Sequence, residues 1–571
     1  MKFYNTMKNI TKYIIYLCAA AGFSTSCNNA FLDRYPQDQL TDDNFWKTEE
    51  HLSSVTATFT SSMVGKDWLN RTEAMAESAP WAVSQAYRTI GGGNFNTETS
   101  QINSIWKVAY SCIGRCNYFL NNYERAQAVK KEVRDRYAAE AIFYRTFNYW
   151  ILTSYFGDVP YIEEELNIDS PDVYRARDKR EYVVSEITKS LENCYKALPE
   201  YIPAASKEFG RISQAAALTL LSRIYLYNEM WEQAADAASR AMQLPYYGLY
   251  KTGDTENDYA NLFNYKGRAS RNSENHEVIL AYIFNYDLGE ASRTSHNLSR
   301  ECWVPNDYAR FVPTKSMIEC YLTKEGKIWN PKSCNSYEDI FKDRDPRMTQ
   351  SILAPGTPWE GGASGDKLNQ DPSVFTYPLL TNNKKGCMTY TGYYMRKYVE
   401  PSTVKFVGHD DNDIIMFRYA EILLNYAEAK AQLNTLTQPD LDKTINALRD
   451  RVGMTHLELG AIPEGSDLLT EIRRERRVEL FFEGHRYFDI IRWKQGELLA
   501  ENLLGVNKRW IDWDRVTISA SNLTWETDAT GEEYLLLEKG RRFENPKNYL
   551  LPIPFAQTEL NPNLKPNNVG W

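Results

Sequence analysis

Residues 217–245, ALTLLSRIYLYNEMWEQAADAASRAMQLP, decide the fold because they predict two helices joined by a short turn. Leu221 and Ile224 lie on one face of the first helix. In the second, apolar residues recur at helical spacing from Ala234 onward, and Pro245 ends the pattern. Alanines on one helix facing bulky side chains on the next are what close-packed helical hairpins need, as in tetratricopeptide-like arrays. The stretch therefore predicts a helical-hairpin scaffold.

Other parts of the chain carry the same helical periodicity. These segments are residues 138–156, ended by Gly157 and Pro160; 182–198, ended by Pro199; 417–431; and 441–452, followed by Gly453. Residues ~250–410 and 505–571 have weak periodicity and are rich in Asn, Gly, Pro, Tyr and Trp, which is typical of loops with short strands. We predict a mainly α, tetratricopeptide-like helical-repeat scaffold with long loop-rich, short-strand insertions, in which the loops carry recognition.

The composition excludes two broad classes of protein. The chain has 571 residues, of which 43% are hydrophobic and 25% charged, so it can bury a large core and is not disordered overall. Its net charge of −9 argues against a nucleic-acid partner, which needs a positive face. Its 39 Tyr and 14 Trp exceed what burial needs, and such rings often serve recognition surfaces.

The N-terminus has the form of a secretory signal. Three lysines precede an apolar stretch from Tyr13 to Phe23 that is too short to span a bilayer. Small residues then lead to Cys27, as in a bacterial lipobox whose cysteine is diacylated; the alternative is an ordinary signal peptide. Cleavage after residue 26 removes three Lys and no acid, leaving a net charge of −12. Lipidation at Cys27 predicts a protein anchored to a membrane, and no later run is long enough to span one.

The cysteines and histidines form no catalytic or metal-binding motif. Seven cysteines remain after Cys27, and we expect most of them to be small buried hydrophobes. The Cys112 and Cys116 pair lacks partners at zinc-site spacing. No H-E-x-x-H, G-x-S-x-G or Walker sequence occurs, and we interpret Gly91–Asn94 as a mobile loop because it lacks the lysine of a phosphate cradle. Asp410–Asp413 offers carboxylates for a structural calcium ion or forms a solvated turn.

The carboxylates with the best spacing for catalysis are Glu475, Glu479 and Glu483, placed four residues apart on one predicted helix. Arginines interleave with them, which is the pattern of an ion-paired helix face. Because such pairing lowers carboxylate pKa values, the set is unsuited to a general acid.

A series of short motifs runs along nearly the whole chain. They are Phe31-Leu32-Asp33, Asp43-Asn44-Phe45-Trp46, Tyr155-Phe156-Gly157-Asp158-Val159-Pro160, Gly210-Arg211-Ile212-Ser213, Asp345-Pro346-Arg347, Arg418-Tyr419-Ala420-Glu421, Glu483-Gly484-His485-Arg486-Tyr487-Phe488-Asp489 and Leu551-Pro552-Ile553-Pro554. With these motifs the chain resembles the SusD/RagB family of outer-membrane lipoproteins. Each motif is weak alone, but together and in order they are strongly specific.

The resemblance implies a lipoprotein that is not an enzyme. Such proteins sit on the outer membrane at the cell surface and pass oligosaccharide or polysaccharide to a SusC-like TonB-dependent barrel. The implied organisation is a signal peptide at 1–26, an N-terminal helical region at 27–250 and a C-terminal region at 251–571 with the ligand-binding layer. The shared residues Arg476, Glu483, Arg486 and Asp489 are expected to form internal ion pairs and caps.

Glycan recognition needs an exposed aromatic platform beside planar hydrogen-bonding groups. Trp81 and Trp303 are the first candidates for the platform, with Asp67 and Asn306 as hydrogen-bonding partners. Further candidates of the same kind are Trp68, Tyr87 and Tyr398. We expect Trp46, Trp106 and Trp493 to be buried in the scaffold.

Three alternatives to glycan capture remain open at this stage. A peptide-binding member of the same family is the first. A surface glycoside hydrolase is the second, and it would need two carboxylates roughly 5–10 Å apart in a cleft. A structural helical-repeat adaptor is the third, and a large apolar patch would be its sign.

Overall fold

The computed structural model describes residues 45–63, 72–292, 294–298, 309–358, 375, 377–380, 388–403, 408–516 and 518–571. Helices dominate it. In chain order they are α1 (Glu49–Met63), α2 (Ala86–Gly91), α3 (Ser100–Asn122), α4 (Lys131–Phe156), α5 (Arg180–Cys194), α6 (Gln214–Tyr227), α7 (Trp231–Met242), α8 (Asp258–Asn261), α9 (Thr294–Leu298), α10 (Lys315–Cys320), α11 (Pro346–Ser351), α12 (Tyr419–Gln432), α13 (Gln438–Lys443), α14 (Ile445–Arg451), α15 (Leu468–Glu479), α16 (Arg486–Arg492) and α17 (Phe555–Leu560).

The predicted hairpin is confirmed as α6 and α7, which pack against each other. Helix α6 begins after Ser213, whose hydroxyl accepts a hydrogen bond from the Ala216 N–H at 3.2 Å and so caps the first turn. Five alanines of α7 are buried, which lets this helix pack closely against both α6 and α12. Helix α4 packs against α1, α3 and α5 and ends at Gly157, whose φ of 71° favours glycine. The mainly α prediction is therefore confirmed.

Within the described residues, the strands form two small antiparallel sheets. Strands β1 (Val278–Tyr282) and β2 (Ile414–Arg418) make the first sheet. Strands β3 (Leu503–Asn507), β4 (Trp525–Thr527) and β5 (Glu533–Glu538) make the second, in the order β3-β5-β4. One apolar core extends from Trp46 to Leu564, and a smaller core lies between α12 and its neighbours. The proposed division at residue 250 stays a prediction.

Two helix predictions were wrong in detail. Phe417 belongs to β2, and the helix begins only at Tyr419, because residues 414–418 pair with β1 and are buried on both faces. A short apolar run buried on both sides cannot be assigned to helix or strand by periodicity alone. The predicted helix at 441–452 is divided at Thr444 into α13 and α14. Among the described residues, no helix combines the length and the hydropathy of a membrane-spanning segment.

A buried network of ion pairs joins the C-terminal helices to the sheet of β1 and β2. At its centre, Arg418 donates hydrogen bonds of 2.7 Å to Glu277, Glu479 and Glu483. Arg451 also contacts Glu277 and Glu479. All five side chains are at most 4% exposed. The network therefore fixes helix α15 against strand β2.

The predicted ion-paired face of α15 is confirmed, with one correction. Burial raises the pKa of Glu479, but the charges of Arg451, Arg418 and Arg347 outweigh burial and hold that pKa well below its ordinary value. The pKa values of Glu475 and Glu483 are lowered in the same way. Glu483, however, lies beyond the end of α15, in a turn where Phe482 and Gly484 have positive φ. The expected internal pairs are also present: Arg476 bonds Asp489, Arg486 bonds Glu77, and Glu483 bonds Arg418 and Lys397.

Candidate functional site

Trp81 lies on a two-stranded backbone ribbon formed by residues 78–82 and 310–314. The Ala82 N–H donates to the Arg310 carbonyl at 2.7 Å, and the Thr314 N–H donates to the Ser78 carbonyl at 3.1 Å. We call this pair of segments the Trp81 ribbon. Its backbone pairing brings together residues that are far apart in sequence and holds the tryptophan in one position.

The indole of Trp81 is partly exposed and partly packed. The Phe311 ring lies 4.9 Å from it at an angle of 72°, and Phe311 in turn packs edge-on against Phe482. The Arg310 guanidinium lies 5.9 Å from the indole centroid. Because Phe311 supports the indole from one side, the accessible remainder of the ring can serve as a rigid apolar platform.

Helix α2 is fastened to the ribbon beside this platform. The Gln85 side chain caps the helix by accepting hydrogen bonds from the Tyr87 and Arg88 N–H groups at 2.7 and 3.1 Å. Arg88 is buried, donates to the Trp81 carbonyl at 2.9 Å and pairs with Glu538 at 3.0 Å. Tyr87 stays partly exposed on the same helix. The structure thus places Trp81 and Tyr87 on one connected surface segment.

The interpretation of Gly91–Asn94 as a mobile loop was wrong. A Cβ on Gly91 would lie 2.2 Å from the Met75 carbonyl oxygen, and one on Gly93 would lie 2.0 Å from the Arg542 carbonyl oxygen. The Arg541 side chain donates to the Gly91 carbonyl at 3.1 Å. These glycines therefore allow close backbone packing, a role that depends on contacts far along the chain.

The remaining predicted site residues divide into two groups. Tyr398 is 1% exposed, packs 5.0 Å from Phe263 and accepts a hydrogen bond from the Ile415 N–H, so it is a core residue and its prediction as a platform was wrong. The others lie outside the described residues and stay predictions; they are Cys27, Asp67, Trp68, Trp303 and Asn306. The predicted burial of Trp46, Trp106 and Trp493 is confirmed.

The interpretation of Asp410–Asp413 as a solvated turn was wrong, and the structural calcium ion stays a prediction. Asp411 pairs with Arg268 at 2.6 Å and with Arg271 at 2.7 Å. Asp410 accepts a hydrogen bond from the Ser295 N–H at 2.7 Å. The segment is buried, so it is not a solvated turn, and one carboxylate oxygen of Asp413 has no hydrogen-bond partner among the described residues. Across the described part of the chain, no group of His, Cys, Asp and Glu has the geometry of a metal site.

The described cysteines have the environment that the sequence predicts. Cys112, Cys116, Cys320 and Cys334 are buried, Cys194 is half-buried, and all five are free thiols. Burial raises the pKa of the Cys194 thiol to about 12, which makes it a poor nucleophile.

Two carboxylates in the segment before Trp81 have pKa values that are shifted in opposite directions. Sequence reasoning did not identify them. Glu73 is buried, accepts a hydrogen bond of 2.6 Å from the Gly484 N–H, and has no partner for its second oxygen among the described residues. Burial raises its pKa to about 7. Burial would raise the pKa of Glu77 too, but the charges of Arg486 and Arg477 lower it to about 2. Both carboxylates join the segment before Trp81 to the turn at residues 480–486.

These opposite shifts predict opposite pH responses. The stabilising contribution of protonated Glu73 is complete below pH 4.5 and is lost as the pH rises through about 7. Glu73→Gln should therefore raise the free energy of unfolding at pH 8 by roughly 1–3 kcal/mol and have little effect near pH 4.5. The contribution of Glu77 is present above pH 4.5 and is lost as the pH falls through about 2, so Glu77→Gln should destabilise the protein at pH 8. Urea denaturation at both pH values measures the two responses, and equal behaviour of the two variants would contradict this assignment.

The fold and the site define a helical-hairpin protein that holds buried carboxylates in ion pairs and presents an aromatic platform on a rigid ribbon. The chain belongs to the SusD family, whose model matches residues 276–571. A further family model, described as starch-binding associating with outer membrane, matches residues 30–226. The resemblance seen in the sequence motifs is thereby confirmed.

Similar proteins cover almost the whole chain. SusD-like protein P2 of Formosa agariphila is 22% identical over 593 residues, covering 98% of this chain and 99% of that protein. A solved SusD-like carbohydrate binding protein of Bacteroides fragilis is 26% identical with a TM-score of 0.76, covering 91% of this chain and 100% of that one. The surface glycan-binding protein A of Bacteroides uniformis shares the fold, with 19% identity, a TM-score of 0.63, and coverage of 91% of this chain and 99% of that one.

Proposed function

We propose that this protein is a cell-surface lipoprotein that captures oligosaccharide or polysaccharide and delivers it to a SusC-like TonB-dependent barrel in the outer membrane. Membership of the SusD family, one of whose solved relatives is described as carbohydrate binding, supports the ligand class. The family model described as associating with the outer membrane supports the location. Cys27 would carry the lipid anchor.

The single structural observation that carries the proposal is the supported, partly exposed indole of Trp81. A sugar ring presents an apolar C–H face that packs on an aromatic face. Because hydrogen bonds fix the backbone at Trp81 and the Phe311 ring supports the indole, a glycan would lose little free energy in ordering it. Trp303 and Asn306 precede Phe311 by only a few residues in the chain, and Trp68 precedes Glu73 in the same way. The proposed ligand layer is therefore centred on Trp81.

The ligand class is tested by calorimetric titration of residues 28–571 with a panel of polysaccharides and a parallel panel of peptides. We expect heat from one glycan class, with a dissociation constant on the order of micromolar to millimolar, and no reducing sugar released over time. Heat from peptides alone would replace the proposal with the peptide-binding alternative. Product accumulating with time would replace it with a glycoside hydrolase.

Delivery and anchoring need a separate test in cells. The full-length protein should copurify with an outer-membrane barrel and be accessible to added protease on intact cells. Cys27→Ala should remove the protein from the membrane fraction while leaving glycan binding by the released protein intact. Continued membrane attachment of Cys27→Ala would contradict the proposed anchor.

A further inference from the structure

A groove of about 950 Å³, none of whose described lining residues belongs to the Trp81 ribbon, lies between the end of α4, the start of α5 and the C-terminal tail. It is lined mainly by residues 157–158, 176–177, 179–181, 545–547, 549–550, 563 and 565–569. A neighbouring groove of about 660 Å³ continues along α5 and shares Arg180, Glu181, Tyr227 and Lys494 with it. We call the first of these the tail groove. Its volume is at the upper end of the range for small-molecule sites, so it has room for several sugar units.

The charge of the tail groove is opposite to that of the protein. The whole chain has a net charge of −9. Among the described residues that line the tail groove, by contrast, two are acidic, Asp158 and Glu181. Its basic lining residues are Arg177, Lys179, Arg180, Lys494, Lys547 and Lys565. A concave surface on which one sign of charge predominates concentrates ligands of the opposite sign.

Two of these cations are held in place by neutral groups. Arg177 donates to the carbonyls of Asp158 and Pro566 at 2.9 and 2.8 Å and to the side-chain oxygen of Asn568. Arg180 donates twice to the side-chain oxygen of Asn228, at 3.0 and 2.7 Å. Neither guanidinium forms an ion pair with a carboxylate within the described residues. Both are therefore positioned by hydrogen bonds while their charges stay available to a ligand.

Lys494 provides a third uncompensated charge at the junction of the two grooves. It is exposed, has a φ of 56°, and places its ammonium 4.9 Å from the centroid of the Tyr549 ring. It too lacks an ion pair within the described part of the chain. Apolar groups of Ile491 and Leu550 line the same groove. The groove thus combines fixed cations with an apolar and aromatic lining.

We propose that the tail groove is a second glycan site, which selects chains that carry carboxylate or sulfate groups. The guanidinium and ammonium charges attract such anions, and the apolar lining fits the C–H faces of the sugar rings between them. The proposal rests on the proposed function for the glycan nature of the ligand. It is independent of Trp81, because the two surfaces share no lining residue.

The test uses residues 28–571 with three oligosaccharide probes and one peptide probe. The probes are polygalacturonate, heparin oligosaccharides, neutral maltoheptaose and poly-glutamate. We expect Lys494→Glu and Arg177→Gln each to weaken binding of at least one anionic glycan tenfold or more. Binding of the same glycan by the wild-type protein should also weaken as salt is added. Lys494 is exposed, so its variant should keep the wild-type unfolding midpoint.

Lys207→Glu is the matched control for the change of charge. Lys207 is exposed, and the adjacent Glu208 pairs with Arg136 of α4. Arg136 lies twenty residues before the end of α4, where the tail groove begins. At 1.5 Å per residue the helix separates Arg136 from the groove by roughly 30 Å, which exceeds the Debye length of about 8 Å at physiological salt. The variant should therefore bind every probe like the wild type.

Several outcomes would overturn the proposal. They are an absence of binding to both anionic glycans, an equal loss in Lys494→Glu and Lys207→Glu, and binding of poly-glutamate in preference to the glycans. Maltoheptaose, which is neutral, distinguishes failure of the tail-groove proposal from failure of the proposed function. Binding of a neutral glycan that depends on Trp81 should be unchanged in Lys494→Glu. Loss of Trp81-dependent binding alone would leave the tail groove intact as a site.

Discussion

Replacing Arg418 with alanine should lower the free energy of unfolding by several kcal/mol, on the order of 3–5, or prevent folding. Arg418 is 1% exposed and donates to Glu277, Glu479 and Glu483. Its removal leaves these buried carboxylates with less compensating charge, because the remaining partners are Arg451, Arg347 and Lys397, and none of them contacts all three carboxylates. Arg418→Lys should be intermediate, since an ammonium keeps the charge but cannot reproduce the forked contacts.

The matched control for Arg418 is Arg240, which pairs with Glu192 at 2.6 Å on a surface where both side chains are 28% exposed. Arg240→Ala should cost about 1 kcal/mol or less, because solvent screens a surface pair. The shift in the urea midpoint measures both variants. Equal shifts would contradict the view that the buried network is what holds α15 to β2.

Replacing Trp81 with alanine should weaken glycan binding by about 30-fold or more, corresponding to about 2 kcal/mol, the usual effect of removing a central aromatic contact. Hydrogen bonds fix the backbone on both sides of Trp81, and the Phe311 ring supports its indole. Trp81→Phe should retain part of the affinity, since a smaller ring still offers a face for stacking. Calorimetric titration with the glycan class found for the wild type gives the dissociation constants.

Trp231→Ala is the control for loss of a partly exposed tryptophan. Trp231 is the first residue of α7, within the helical scaffold, and is half-buried as Trp81 is. Its variant should bind glycan like the wild type even if its stability falls. Full glycan affinity in Trp81→Ala, with unchanged stability, would remove Trp81 from the binding site.

The helical scaffold could be predicted from the sequence because its determinants are local. Periodicity, Gly157 and the alanines of α7 act over one or two helical turns, and the predicted hairpin of α6 and α7 was found in the structure. Phe417 and Glu483 were misassigned because a partner strand and a positive-φ turn determine their conformations. Such long-range determinants leave no periodic signal in a single sequence.

The candidate site was predictable only in part. Trp81 could be identified as an aromatic residue beside polar groups, but its support by Phe311 depends on pairing between distant segments. Tyr398 has the same local surroundings in sequence and is nevertheless buried, because it packs on Phe263. The charge of the tail groove was also hidden, since residues 177–180, Lys494 and residues 547–565 meet only after folding.

The most direct test of glycan capture at the Trp81 ribbon is a crystal structure of residues 28–571 with a bound oligosaccharide. The account predicts a sugar ring stacked on the exposed face of Trp81, within roughly 4 Å of the indole. A glycan bound elsewhere, with the Trp81 indole left uncovered, would contradict it.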